Sequence, residues 1–497
     1  MDIEEIQDIN DDEMEEDEAS DSSTSSDGEE VDDDEDVKNA TDIKNEEAEN
    51  PTAFLPGQQK LEEGEELVMD EQAYIVYHQA SLGTPCLSFD IIPDDLGNDR
   101  ADAFPLTMYG VAGTQAPKSS ANSIVVFKME NLHPIKRKVA KNSDENESDE
   151  SDDSDDEETS DDPEKEPRLK VAALKHHGCV NRIRFKNIGG TALAAAWSEK
   201  GSVGIWSLDH CFEKVNRQGV QSEKDQRELT SPLFSFKGHQ TEGFAINWCP
   251  TMPGVLATGT FPYNSYPRYI STTTFYVAGD CSRNIHIWKP SSDSASWSIN
   301  DTPYQGHTAS VEDIVWSPNE ANVLASCSVD KSIRIWDARA NPNKANMLTV
   351  SNAHTSDINV IDWNANEPFI ASGGDDNLLK IWDLRNFQEG QPVAVFKHHT
   401  APITSVEWHP NDYSVLATSG DDHQIALWDL AIEKDSEIDD DGRSNETNSE
   451  LKDVPPQLLF IHQGMQDVKE LHWHRQIPGL LIATSQTGLD VFRTISV

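Results

Sequence analysis

Along residues 176–497 apolar side chains recur on every second position in short runs, as in Val311–Trp316 and Ile333–Trp336, and the runs themselves repeat. Five times a histidine is followed nine residues later by an aromatic: His176 and Phe185, His239 and Trp248, His307 and Trp316, His354 and Trp363, His399 and Trp408. A second aromatic closes each copy, at Trp206, Trp288, Trp336, Trp382 and Trp428. A degenerate sixth copy runs from His462 through Trp473 to Phe492. A period of two with β-branched and aromatic enrichment predicts strands. Ser317–Asn319, Asn364–Asn366 and His409–Asn411 punctuate them as turns.

Four short strands per copy, with no helical period between copies, predict an all-β propeller. The Trp-Asp endings at 336–337, 382–383 and 428–429 make it of the WD-repeat type. Each blade buries its faces only against its neighbours, so the ring must close. Six copies from residue 176 leave residues 84–128 for a seventh blade, with strands at Thr84–Ile92, Pro105–Gly110 and Ser123–Phe127. The expected organisation is seven blades, the first in 84–135 and the other six in 171–497. One copy is long: Trp248 and Trp288 are 40 residues apart, and removing residues 260–279 restores the spacing of the others. That stretch is either an extra loop between two strands or a translated intron, and detection of a peptide inside it would establish the loop.

The repeating His, Ser or Thr, Asp and Trp imitate a hydrolase triad. Asp330, Asp376 and Asp422 each stand six residues before the second Trp of their copy. A nucleophile is needed once, whereas a network tying strands together is needed in every blade. The recurrence therefore predicts a structural role, with no catalytic residue. Histidines and cysteines lack metal-ligand spacing, and Gly373–Gly374 belongs to a strand turn of the repeat rather than a phosphate-cradling loop. No metal and no cofactor are expected.

Charge changes the picture. The 497 residues carry 90 Asp+Glu against 39 Lys+Arg, a net charge of −51. Three segments hold most of the excess: 1–50 with 24 acids and 2 bases, 142–166 with 15 and 1, and 433–453 with 9 and 3. The rest is nearly neutral. Residues 1–60 read as an acidic tail with too little apolar content to offset the entropy of ordering, and 136–170 as an acidic low-complexity insertion. Polyanions repel nucleic acid and attract basic proteins, so basic proteins are the expected partners and direct nucleic-acid binding is not expected. No apolar run approaches the roughly 20 residues of a membrane span. The start, MDIEEIQDIN, is acidic where a secretory signal is basic and then apolar. Six scattered cysteines without a CxxC pair fit a reducing cytosol or nucleus. Thr24, Ser26 and Ser154 each have an acid three residues on, the pattern of an acid-directed kinase, and phosphate there would deepen the charge. Lys136–Lys138 is a short candidate nuclear signal. The chain is expected to act as a monomer.

Between tail and first blade the character changes. Leu67, Met69, Tyr74 and Tyr77, with Ile75 and Val76, make an apolar stripe behind acids suited to a first helical turn. Residues 61–83 are expected to form a helix on the side of the propeller. Residues 433–456 read as an acidic loop closed by Pro455 and Pro456, just before a strand at Gln457–Ile461. A closed ring brings the two chain ends together, so helix and loop are expected to flank one groove, apolar on its floor and acidic on its lip. Such a groove suits an amphipathic basic helix; a helix that only covers a blade edge is the other reading.

Thr84–Asp90, Thr241–Phe244, Val311–Asp313, Gly373–Asp376, Pro455–His462 and Phe492–Val497 together resemble the glutamate-rich WD-repeat family, which is similar to the histone-binding propellers of the retinoblastoma-binding type. The resemblance implies a nuclear and nucleolar protein of ribosome biogenesis that chaperones a large-subunit ribosomal protein and binds core histones. It implies a histone helix held at Leu67, Tyr74, Tyr77, Asp439, Asp440, Asp441, Pro455, Pro456, Leu458 and Leu459. A second surface follows from the strand period, because positions three and five after the repeat's histidine point at the top rim: Asn181, Glu242, Phe244, Glu312, Asp357 and Asn359. In relatives acids there accept basic peptide tails, and Glu242 and Glu312 match them, while Cys179 stands where relatives carry an acid. A reading of another class remains: Trp336–Arg339 and Trp382–Arg385 resemble the adaptor-docking box of substrate receptors of cullin-type ubiquitin ligases.

Overall fold

The alternating runs become strands, and the strands sort into seven four-stranded antiparallel sheets. The computed structural model describes residues 67–135, 166–217, 231–239, 241–259, 283–291, 296–299, 302–433 and 454–497. The inner strands are Cys86–Ile92, Val180–Ile188, Ile246–Trp248, Val311–Trp316, Ile358–Trp363, Ile403–Trp408 and Glu470–Trp473. Each packs on the next, and the last on the first. The molecule is a seven-bladed β-propeller. Its apolar core is distributed between blades: Ile358, Ile361 and Trp382 of the fifth, for example, pack on Ala325, Ile333 and Ile335 of the fourth.

Two boundaries differ from expectation. The outer strand of blade one, Arg168–Lys175, lies beyond the acidic insertion and pairs with Ser123–Leu132. The insertion therefore interrupts blade one, and the second blade opens at Val180 rather than 171. The expected helix over 61–83 is not formed in its described part. Glu71–Ala73 make a single 3-10 turn, with Asp70 accepting from the Gln72 N–H, and Tyr74–Ala80 is a strand. It pairs with Leu489–Thr494 and completes blade seven. Sequence spacing mixed two kinds of apolar residue there; a ready edge with free ladder groups decides for the strand, since tertiary pairing overrides local preference. Residues 61–66 lie outside the described residues. The described α-helix is Asp209–Asn216, which buries Cys211 and Val215 in the cluster between blades one and two.

The two aromatics of the repeat do different work. The first reaches back to the preceding blade: the indole N–H groups of Trp248, Trp316 and Trp473 donate to the carbonyls of Arg184, Asn247 and Glu407 at 2.9, 3.0 and 3.2 Å. The inner strands add a second stitch. Asp90 accepts from the Phe185 N–H at 2.7 Å, and Asp362 from the Trp408 N–H at 2.8 Å. The second aromatic stays in its own blade. In blade five the Trp382 indole donates to Ser372 Oγ at 2.9 Å, while His354 Nε2 and Ser372 Oγ are 2.7 Å apart and His354 Nδ1 lies 2.8 Å from Asp376.

Blades four and six repeat this tetrad with His307, Ser326, Asp330 and Trp336, and with His399, Thr418, Asp422 and Trp428. Burial lowers His307 and His354, while the imidazoles they face hold Asp330 and Asp376 well below the usual carboxylate range against the opposing effect of burial. The neutral ring then donates from Nδ1 to the carboxylate and accepts the hydroxyl proton at Nε2. The hydroxyl is fully buried and its capacity is used. Asp376→Ala should cost about 1–3 kcal/mol of stability by leaving the His354 N–H unpaired, read from the urea midpoint, with partner binding unchanged.

The long copy keeps its ladder: Leu256–Gly259 and Ile285–Pro290 pair directly, Gly259 opposite Ile285. The extra length is thus a connection between adjacent strands. Residues 260–282, and with them the choice between loop and intron, lie outside the described residues.

Candidate binding surfaces

Inner strands bring charged side chains into the channel. Glu470 is the hub. Its Oε1 lies 2.7 Å from both Arg182 Nη1 and Arg184 Nη2, and its Oε2 accepts from the Phe89 N–H at 2.8 Å. Next to it, His472 Nδ1 lies 2.6 Å from Glu407 Oε2. Burial works against His472 carrying charge, but Glu407 and Glu470 outweigh it and push the imidazole up to about 10.

The six expected top-face residues fall on inner strands or on the turns that enter them. Asn181 is buried and donates to Glu242 Oε2 at 3.1 Å, which leaves Glu242 exposed but oriented. Phe244 is half-buried. Asn359 donates to Asp375 at 2.8 Å, and Asp357 is raised by burial and by the Asp375 carboxylate. Glu312 is half-buried, and its Oε1 is closed to solvent without a hydrogen-bond partner among the described residues. Cys179 is buried, with its thiol 3.7 Å from the Thr114 carbonyl, so it adds no charge.

Of the expected groove residues, Tyr74, Tyr77 and Leu459 share one apolar cluster between blades six and seven. Tyr74 is 5% exposed; its ring meets Phe460 and Phe492 edge-on, and its hydroxyl lies 2.7 Å from His462 Nδ1. It lies beneath the surface. Tyr77 is half-buried and donates to Asp490 at 3.1 Å. Leu459 joins the same cluster, while Leu458 is half-buried at the end of the outer strand of blade six, opposite Trp428. Pro455 is half-buried, and Pro456 and Leu67 are exposed. Asp439–Asp441, Thr24, Ser26 and Ser154 lie outside the described residues.

Sequence reasoning missed Ile135. It packs in this cluster, and its N–H donates to the Ile75 carbonyl at 3.0 Å. No period marks it, because it follows the end of a strand. Two acidic stretches thus border the rim in the chain: 136–165 leaves at Ile135, and 434–453 returns at Val454, four residues before Leu458.

Arg339 and Arg385 are exposed, each forked on its own Trp-Asp carboxylate, at 2.7 Å from Asp337 and 2.8 Å from Asp383. Among the described residues no three His, Cys, Asp or Glu side chains are placed to hold a metal, and no helix is long and apolar enough to cross a membrane. The five described cysteines are buried and unpaired with one another.

Ring and tetrads define a WD-repeat protein. Residues 64–133 match the family model of the histone-binding protein RBBP4 and its counterpart in the CAF1 complex, and 299–337, 346–383 and 390–429 match the WD domain, G-beta repeat. The chain is 38% identical to glutamate-rich WD repeat-containing protein 1 of Dictyostelium discoideum over 88% of this chain and 84% of that one. It is 38% identical to ribosome assembly protein rrb1 of Schizosaccharomyces pombe, covering 91% and 86%. It is 39% identical to protein HEAT STRESS TOLERANT DWD 1 of Arabidopsis thaliana, covering 88% and 90%. The chain belongs to the glutamate-rich WD repeat-containing family.

Proposed function

We propose that this protein is a non-enzymatic nuclear and nucleolar scaffold and chaperone in ribosome biogenesis, which holds basic proteins: core histones and a large-subunit ribosomal protein. The observation that carries the reading is the buried Glu312 Oε1 without a hydrogen-bond partner among the described residues, beside Asp357 and Asp313, with Glu242 exposed on the turn that enters the preceding blade. An anionic mouth without its own counter-ion is complementary to a lysine- or arginine-rich segment. The half-buried Tyr77–Leu459–Ile135 rim offers apolar surface for an amphipathic segment of the same client. Relatives matched over most of their length include a ribosome assembly protein, and the N-terminal match is to a histone-binding model.

Full-length protein should recover histones and ribosomal proteins from nuclear extract at moderate salt, and recovering neither would sink the reading. The double substitution Glu242→Lys, Glu312→Lys should cut that recovery at least about tenfold, each like-charge meeting costing on the order of 1 kcal/mol or more. Deleting residues 1–50 should weaken capture at low ionic strength and have little effect at high salt, where exposed charges are screened within a few ångströms.

A second reading rests on Arg339 and Arg385. Both are exposed and held rigidly at equivalent strand ends of neighbouring blades, as a flat partner such as a ubiquitin-ligase adaptor requires. Unchanged adaptor association after Arg339→Ala with Arg385→Ala removes it.

A further inference from the structure

Glu312 is the second residue of the inner strand of blade four, Val311–Trp316, with Asp313 next to it on the same strand and Asp357 in the turn that enters blade five. Its Oε1 is shut off from solvent and finds no donor among the described residues. The cations near it make their hydrogen bonds elsewhere, and the Arg182 Nε, closed to solvent, makes none among the described residues. Arg182 and Arg184 both point a guanidinium nitrogen at Glu470, and Lys331 donates to the Thr355 carbonyl at 2.7 Å. The Ser310 hydroxyl on its own segment and the buried Cys327 thiol on the neighbouring strand carry no charge to offer. An enclosed carboxylate whose nearby cation, Arg182, is paired with another acid is costly to ionise, and a carboxyl so placed keeps its proton.

We propose that Glu312 couples client capture to proton release: an incoming lysine or arginine side chain takes the place of the carboxyl proton, one cation in for one proton out. The mouth then grips basic clients in neutral or alkaline surroundings and loosens as they acidify. The proposal rests on the channel-mouth reading above and adds its regulation.

Burial pushes Glu312 up to about 7; the Ser310 hydroxyl pulls the other way, Asp357 adds to the rise, Arg182 opposes it and Asp313 adds least. The sign follows. Below that value the free site is protonated and a cation must displace the proton, so affinity falls as pH falls and levels off above it.

The test is fluorescence anisotropy of a labelled, histidine-free hexapeptide of alternating Arg and Lys, titrated with the full chain in about 0.3 M salt to screen the exposed acidic segments. Affinity should drop about tenfold from pH 8 to pH 6, with proton release per peptide bound rising from roughly 0.1 at pH 8 to roughly 0.9 at pH 6. Glu312→Gln should weaken binding at pH 8 and flatten the profile. Asp357→Asn, which keeps Glu312 but removes a carboxylate that opposes its ionisation, should move the midpoint to lower pH. A flat wild-type profile with Glu312→Gln still weakening the peptide overturns the proton coupling and leaves the mouth as a client site. Unchanged affinity in Glu312→Gln overturns both.

Discussion

Glu470→Ala should lower stability by about 3–5 kcal/mol, the cost of removing one partner from a buried ionic network. Urea unfolding followed by tryptophan fluorescence will read the loss. The carboxylate is buried and ties three blades: it belongs to the inner strand of blade seven, accepts from the Phe89 N–H of blade one, and pairs with Arg182 and Arg184 of blade two. Alanine would leave two guanidiniums facing each other at the seam where the ring closes, with only the weaker pull of carboxylates such as Asp90 and Asp313 to offset them. Replacing an exposed carboxylate, such as Glu320, should change stability by about 0.5 kcal/mol at most. A loss below about 1 kcal/mol for Glu470→Ala would mean that the seam is held by apolar packing alone.

The same network fixes a pH dependence. Burial opposes ionisation of Glu470, but Arg184 and Arg182 prevail and hold it well below the ordinary carboxylate value. A depressed acid contributes stability that is present above its unfolded pKa, near 4.5, and lost as pH falls through the folded one. His472 is the opposite case. Its contribution is full below the unfolded value of 6.5 and drains away as pH rises toward about 10. Stability should therefore decline on the alkaline side, and His472→Gln should flatten that limb while leaving the acid limb in place.

Tyr74→Ala should cost about 3–5 kcal/mol, the range for deleting a buried aromatic ring, whereas Tyr74→Phe should cost about 1 kcal/mol for the hydroxyl contact with His462. The ring seats the strand that closes the propeller, among Phe460, His462 and Phe492. Hydrogen exchange gives the sharper reading. In Tyr74→Ala the amides of Leu489–Thr494 that pair with Tyr74–Ala80 should lose protection before any other blade does, because that outer strand is held by a single ladder. Protection unchanged at 489–494 would show that the strand is held by its ladder without the ring.

Much of this was legible in the chain because a propeller writes its architecture as a local pattern. The His-to-aromatic spacing of nine marked five copies, a degenerate sixth and the strands left in 84–128 completed the count, and the recurrence of Asp330, Asp376 and Asp422 identified a structural network, which the paired His307, His354 and His399 display. The N-terminal segment was misread for a physical reason. Tyr74–Ala80 carries both helical and alternating apolar spacings, and the edge that chooses between them lies more than 400 residues away at Leu489–Thr494. The site was legible only in its charges. That Asn181 orients Glu242, or that Glu312 Oε1 is enclosed without a hydrogen bond among the described residues, depends on which side chains neighbouring blades present.

The order of residues by itself determined the number of blades, the buried polar tetrads and the acidic segments, since each rests on contacts or composition within one repeat or one stretch. Tertiary structure alone decided which strand closes the ring, which acids find a counter-ion and which is left without one. Those outcomes turn on contacts between residues far apart in the chain, and no local period records them.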